Sequence, residues 1–314
     1  AYNPALTRSC TGCTLVTSPI DDLHSVRDYL RYASSRFAAS PLFFGHGTDN
    51  VWDEAVQLVL GALSLPLDFP KEHLDSRLTH DEKKRILKLV DRRINDREPL
   101  PYLLGEAWFM GLPFKVTKDT LIPRSPIMAL IENQFAPWLE QYPLSILDMC
   151  TGSGCQGIVA ALTFDEAEVD ITDVSDAALD VALQNIAMHE VEDRVHAIHS
   201  DMFNALSGKQ YDLIICNPPY VDANDYNTAP REFHNEPQLA LTSGDDGLDF
   251  TRAFLAQAAD YLHDNGIVVY EVGNSEVALQ EAYPDTPFMW VELENGGNGV
   301  FVLTKEELKT LQQE

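Results

Sequence analysis

The sequence predicts an α/β protein: a seven-stranded sheet preceded by a small N-terminal helical domain. Three observations predict it. From Ser125 onward, short apolar runs alternate with helix-length segments. Ahead of Glu98 the apolar periodicity is helical. Two final apolar runs, Phe288–Leu293 and Val300–Leu303, flank Glu294-Asn295-Gly296-Gly297-Asn298-Gly299, a turn suited to positive φ. Alternating strands and helices specify a parallel sheet covered on both faces, and the last pair adds an antiparallel hairpin.

Residues 1–17 read as a disordered leader and 18–98 as a helical substrate-recognition domain. Ser18-Pro19, with Asp21 following, starts a helix, and Leu23, Val26, Leu30, Ala33 and Phe37 recur along it at helical spacing. A second helix follows Asp49, with Trp52, Val56, Val59 and Leu63 on one stripe. A third opens on a capping box, Thr79 to Glu82, and carries Ile86, Leu89, Val90 and Ile94 to about Arg97.

Residues 99–124 form the connector between domains. Pro99 and Pro101 end the helical part, and Ala107 to Val116 alternates around Gly111 and Pro113 as a hairpin does. Residues 125–314 form the catalytic domain, opened by a cap-and-proline helix start at Ser125-Pro126. Strands are expected at Ser145–Met149, Val169–Thr172, Val195–His199, Leu213–Cys216 and Ile267–Glu271. Helices are expected at Asp176–His189 and Gly247–Leu262, with a terminal helix or frayed tail over 305–314.

Composition narrows the function classes. No apolar run reaches the ~20 residues of a membrane span, and the N-terminus lacks the pattern of a secretory signal, so a soluble, cytoplasmic protein is expected. The chain lacks an initiator Met. Its five cysteines include a C-x-x-C pair, Cys10 and Cys13, with neither a βαβ context nor further ligands nearby. Cys150, Cys155 and Cys216 read as small buried hydrophobes. His24, His46 and His234 have no ligand spacing, so no metal is expected. The net charge is −27, from 49 acidic and 22 basic residues. The densest basic cluster, Lys83-Lys84-Arg85 with Arg92 and Arg93, is interleaved with acids, which argues against gripping a nucleic-acid backbone. The acidity serves solubility or a strongly basic protein partner.

The chemistry sits at successive strand ends. Ile146 to Cys155 is a strand opening into a glycine-rich turn, and Gly152, Gly154 and Gly157 satisfy G-x-G-x-x-G. Asp173, ending the next strand, suits the ribose hydroxyls of a nicotinamide or an adenosylmethionine enzyme. Asp201 and Met202 end the third strand, where they bracket an adenine or cap a helix. After the fourth apolar run comes Asn217-Pro218-Pro219-Tyr220. Two prolines cannot continue a central ladder, so the chain turns there and offers an amide side chain and proline carbonyls to a planar –NH2 group.

Taken together, D-x-x-T-G-S-G, the strand-end acids and N-P-P-Y resemble a class I S-adenosylmethionine-dependent methyltransferase with a Rossmann-like sheet. N-P-P-Y occurs in adenine-N6 methyltransferases and in the protein glutamine-N5 family. Gly105-Glu106-Ala107-Trp108-Phe109-Met110-Gly111, Leu121-Ile122-Pro123-Arg124, Glu236-Pro237-Gln238-Leu239-Ala240-Leu241 and Asp246-Gly247-Leu248 are similar to the glutamine family, over residues 20 to 308. Cys150, Pro123-Arg124-Ser125-Pro126 and Gly45-His46-Gly47-Thr48-Asp49-Asn50 resemble the branch that modifies large-subunit ribosomal protein three rather than release factors. Gln156-Gly157 departs from the expected pair at a helix start, a matter of packing.

The resemblance implies S-adenosyl-L-methionine as cofactor, held by Asp148, Cys150, Thr151, Gly152, Ser153, Gly154, Asp173, Asp201, Met202 and Asn217. It implies Asn217, Pro218 and Tyr220 as catalytic residues. Asn217, Pro218, Pro219, Tyr220 and Phe109 would bind substrate, with Phe109 either touching the glutamine or serving as hairpin core. The implied partner is basic ribosomal protein three, with no membrane and no direct nucleic-acid binding. The acids of Val221 to Asp246 read as a docking lid for that partner or as a solvated loop. The competing readings are a release-factor glutamine methyltransferase, an adenine-N6 methyltransferase, a nicotinamide dehydrogenase and a cofactor-binding assembly factor without activity. N-P-P-Y and the terminal hairpin disfavour the dehydrogenase.

Overall fold

The computed structural model describes residues 18–292 and 298–312. The leader with Cys10 and Cys13, and the heart of the terminal turn at 293–297, lie outside these residues. The described residues divide into two compact units, one containing 18–41 and 51–91, the other containing 42–50 and those from 92 onward.

In the first unit the helix expected from Pro19 is broken. A single turn, Pro19–Asp22, ends at Leu23 in extended backbone, and a new helix spans Val26–Ala38. The cause is local: Ser25 Oγ accepts from Asp28 N at 3.2 Å while Asp28 Oδ2 accepts from Ser25 N at 2.9 Å. This capping box satisfies two helix-end donors and restarts the helix. The next helix, Val51–Ala62, buries Ala55, Leu58, Val59 and Ala62, whereas Trp52 is exposed. Of the expected stripe only Val59 is fully buried, while Val56 and Leu63 are half-buried. The helix His80–Asn95 opens on the expected Thr79–Glu82 box. No helix among the described residues is long and apolar enough to cross a membrane.

The second unit begins its sheet structure with a hairpin, β1 (Glu106–Phe109) against β2 (Leu112–Lys115). The short helix Leu100–Leu104 before it was not foreseen; Pro101 in its first turn requires no N–H there. Seven strands follow: β3 (Ser145–Met149), β4 (Glu168–Asp173), β5 (Val195–His199), β6 (Tyr211–Cys216), β7 (Leu262–Glu271), β8 (Met289–Trp290) and β9 (Val300–Thr304). Their order is β5-β4-β3-β6-β7-β9-β8, parallel from β5 to β7, with β9 antiparallel to both β7 and β8. The expected fold class therefore holds.

Along each central strand, neighbours face opposite cores. Ile146, Leu213, Ile215 and Val269 enter one core; Leu147, Ile214, Val268 and Tyr270 enter the other. That is why these strands read as continuous apolar runs. The chain winds outward from β3 to β5, then returns to lay β6 on the other side of β3. The crevice at this switch point, at the carboxyl ends of β3 and β6, is where α/β sheets bind ligands.

Two other expectations need correction. The helix expected over Gly247–Leu262 is only Asp249–Leu255, followed by a 3₁₀ turn at Ala258–Tyr261, because Leu262 already pairs with Tyr211 and begins β7. Ser125 does not cap a helix, which starts at Met128. Its hydroxyl instead accepts from Ile127 N at 3.2 Å and donates to Glu271 at 2.6 Å.

Candidate active site

The turn after β3 is built from beneath by Asp148. This carboxyl is almost fully buried; its Oδ2 accepts from Gly157 N at 2.9 Å and from the Thr151 hydroxyl. Its Oδ1 has no partner. Burial pushes its pKa up to about 7, against the pull of those two donors, and Asp173 adds to the rise. Above it the backbone passes through left-handed conformations at Cys150 (φ 60°), Gly152 (φ 55°) and Gly154 (φ 82°). At Gly154 an added Cβ would lie 3.2 Å from both Ala182 Cβ and Ile158 Cδ1, so the glycine also permits close packing. Cys150 is no glycine and bears a backbone strain of the kind that collects at functional sites.

Over this turn lies a cavity of about 330 Å³. Of the residues predicted to hold cofactor, Cys150, Gly152, Asp173, Asp201, Met202 and Asn217 line it, together with Pro219. Asp148, Thr151, Ser153 and Gly154 do not; they shape the turn from below. Asp173 is fixed by Gly152 N at 3.0 Å and Ser175 N at 2.9 Å. Burial raises its pKa, and these two N–H donors temper the rise. Thr172, Leu239 and Phe250 complete walls that the sequence reading had not marked, and Thr172 Oγ1 is buried without a hydrogen-bond partner.

A second cavity, of about 320 Å³, adjoins the first. Pro218 and Tyr220 line it, with Arg124, Glu271, Phe233 and Asn274. Asn217, Leu121 and Ala240 line both cavities. Phe109 lines neither. It is buried in the core with Phe114 and Ile127, the position of a hairpin-core residue.

Glu236 and Glu232 fix the walls. The buried Glu236 accepts from His46 Nε2 at 3.0 Å, Ile122 N at 3.0 Å and Arg124 Nη1 at 2.8 Å. Burial would raise its pKa, but His46 and Arg124 outweigh that and hold it below the ordinary glutamate value. Glu232 accepts from Phe43 N at 3.0 Å and Arg93 Nη1 at 3.1 Å, with Arg97 at 3.6 Å. Two acids assigned to an acidic docking lid are thus internal ties, each buried against an arginine.

The sequence reading missed Glu271, Ser125 and Arg124 as parts of this site. A signal existed for the first: Glu271 ends an apolar strand at the same sheet edge as Asp173, Asp201 and Asn217. Among the described residues no group of His, Cys, Asp and Glu is arranged to hold a metal ion.

Residues 134–246 match the family model described as methyltransferase small domain. A ribosomal protein uL3 glutamine methyltransferase of Francisella tularensis subsp. tularensis is 47% identical over 291 residues, covering 92% of this chain and 93% of that protein. The protein of the same description from Bordetella pertussis is 44% identical over 292 residues, covering 92% of this chain and 98% of that one. Among solved structures, a methyltransferase from Pyrococcus furiosus matches at 17% identity with a TM-score of 0.46, over 72% of this chain and 99% of that one.

Proposed function

This chain belongs to the family of ribosomal protein uL3 glutamine methyltransferases, and on that premise we propose that it methylates the side-chain nitrogen of a glutamine in uL3, using S-adenosylmethionine. The observation that carries the reading is the position of Asn217 in a wall common to both cavities.

The first cavity fits this cofactor. Asp173 and Asp201 offer carboxylates to ribose hydroxyls and an exocyclic amine, and Met202, Leu239 and Phe250 give apolar walls for a purine. Thr172 Oγ1 is a buried polar atom still lacking a partner, as expected of a group that meets a ligand. When bound, the cofactor supplies an electrophilic methyl group on a sulfonium.

The chain's own residues must make a poor nucleophile react. A carboxamide nitrogen shares its lone pair with the carbonyl. Asn217 Oδ1 and the Pro218 carbonyl each accept one amide hydrogen, which fixes the nitrogen and turns its lone pair toward the first cavity. Orientation of this kind is worth ~7–11 kcal/mol in favourable cases. The prolines make the turn rigid and leave their carbonyls free of the ladder. Tyr220 walls the substrate side.

The test offers methyl-tritiated S-adenosylmethionine to the full-length protein with purified uL3 and, in parallel, with release factors and adenine-containing nucleic acid. Mass spectrometry then locates the label. Label on a uL3 glutamine supports the reading; label confined to either alternative substrate overturns it.

A further inference from the structure

At the carboxyl end of β7, Glu271 forms part of the wall around the substrate cavity, yet the mechanism above gives it no task. Its side chain is 3% exposed. One oxygen, Oε1, accepts from the Tyr220 hydroxyl at 2.8 Å, and the other accepts from Ser125 Oγ at 2.6 Å. A carboxyl this secluded, tied by a phenol to the cavity that also holds Asn217 and Pro218, is more than packing requires.

The reaction releases a proton. The amide nitrogen starts with two hydrogens and gains a methyl carbon, while the electron pair of the broken carbon–sulfur bond stays on sulfur. The nitrogen then carries positive charge until one N–H bond breaks, its electron pair returning to the amide. We propose that Glu271 receives this proton through Tyr220: the phenol oxygen takes the amide proton and passes its own to Glu271 Oε1. The inference rests on the glutamine reading of the site.

Glu271 is suited to the task because its carboxylate also stabilises positive charge growing on the nitrogen in a secluded cavity. The titratable and charged groups facing it are Tyr220, Arg124 and Cys216, and Glu236 acts on Tyr220 from behind. Burial raises the Glu271 pKa, while Ser125, Tyr220 and Arg124 pull it back. Its ionisation therefore falls above the ordinary glutamate range.

The test compares wild type, Glu271→Gln and Tyr220→Phe across pH, with full-length protein, purified uL3 and S-adenosylmethionine. Turnover in the wild type is expected to fall on the acid side. Each variant is expected to lose about 10²-fold in kcat, with that acid limb abolished in Glu271→Gln and cofactor affinity unchanged by calorimetry. Difference infrared spectroscopy of the ligand-free protein, wild type minus Glu271→Gln, should show a carboxyl titrating at the pH of the limb. Glu271→Gln with wild-type turnover overturns the inference, as does a slow variant that keeps the acid limb, which would leave Glu271 a structural role only. If the wild type labels no uL3 glutamine, the proposed function fails and this inference with it. If the wild type labels uL3 and Glu271→Gln matches it, only the inference fails.

Discussion

Arg124 Nη1 donates to Glu236 Oε2 across 2.8 Å, and the Glu236 side chain is wholly inaccessible to solvent. Its other oxygen holds His46, so one carboxylate ties two separate stretches of chain, at His46 and at Ile122–Arg124, to its own loop. Removing Glu236 leaves the Arg124 guanidinium as uncompensated charge. Glu236→Ala is expected to cost about 3–5 kcal/mol in urea unfolding and to weaken cofactor binding. The exposed pair Arg252–Asp246 provides the contrast: Arg252→Ala should cost less than about 1 kcal/mol. Equal costs for the two would show that burial is not what gives the Glu236 pair its weight.

The stability of the protein should respond to pH in two opposite ways. Glu232 and Glu236 have folded-state pKa values below the ordinary glutamate value. Their contribution is complete above that value and lost as the pH falls through the folded-state pKa. Asp148 behaves inversely, because burial lifts its pKa from 3.8 to about 7. The folded state keeps that proton longer, so stability declines from about pH 4 to about pH 7 and is level above. Asp148→Asn should flatten this decline by an amount on the order of 1 kcal/mol or more. Denaturant titrations of both proteins at each end of the window would check it; parallel slopes would contradict the assignment.

Asn217→Ala removes one of the two proposed amide acceptors while leaving Asp173, Asp201 and Met202 in place around the first cavity. The expected outcome is cofactor affinity near that of the wild type by calorimetry and turnover lower by about 10²-fold or more, by analogy with loss of a single oxyanion-hole donor. Wild-type turnover in this variant would remove the basis of the proposed geometry.

Gly273 bears on the same cavity from the other side. Its φ is 49°, and a Cβ there would lie 2.4 Å from Cε2 of the Tyr220 ring. Gly273→Ala must displace a ring whose hydroxyl is anchored on Glu271. Overpacking of this kind costs about 1–3 kcal/mol. Turnover should fall while cofactor affinity holds, since Tyr220 lines only the second cavity. A drop in cofactor affinity equal to the drop in turnover would mean that the two cavities are not separate in function.

Much of this was legible because sheet positions obey short-range rules. Ile146 to Met149 and Tyr211 to Cys216 could be read as strands from apolar runs alone, and the prolines after Asn217 announced the turn. What could not be read depends on partners distant in sequence. Ser125 resembled a helix cap until its hydroxyl was seen to reach Glu271, 146 residues away. Glu236 looked like one acid of a solvated loop because its partners, His46 and Arg124, lie 190 and 112 residues upstream. Phe109 sits in an alternating hairpin, and alternation tells only that one face is inward, not which inward residues reach a ligand.

The chain carries a net charge of −27, and pairing Glu232 with Arg93 and Glu236 with Arg124 leaves that excess of acids unchanged. An excess of this size gives a negative field able to draw in a basic protein. Charges farther apart than the Debye length, about 10 Å at 0.1 M salt, are largely screened. Raising ionic strength should therefore lower kcat/KM for uL3 through a slower encounter while leaving kcat unchanged, since the chemistry takes place within the cavities. A short uncharged peptide carrying the same glutamine should show little salt dependence. If the peptide and the intact protein respond alike, the acidity serves solubility and plays no part in recruiting the substrate.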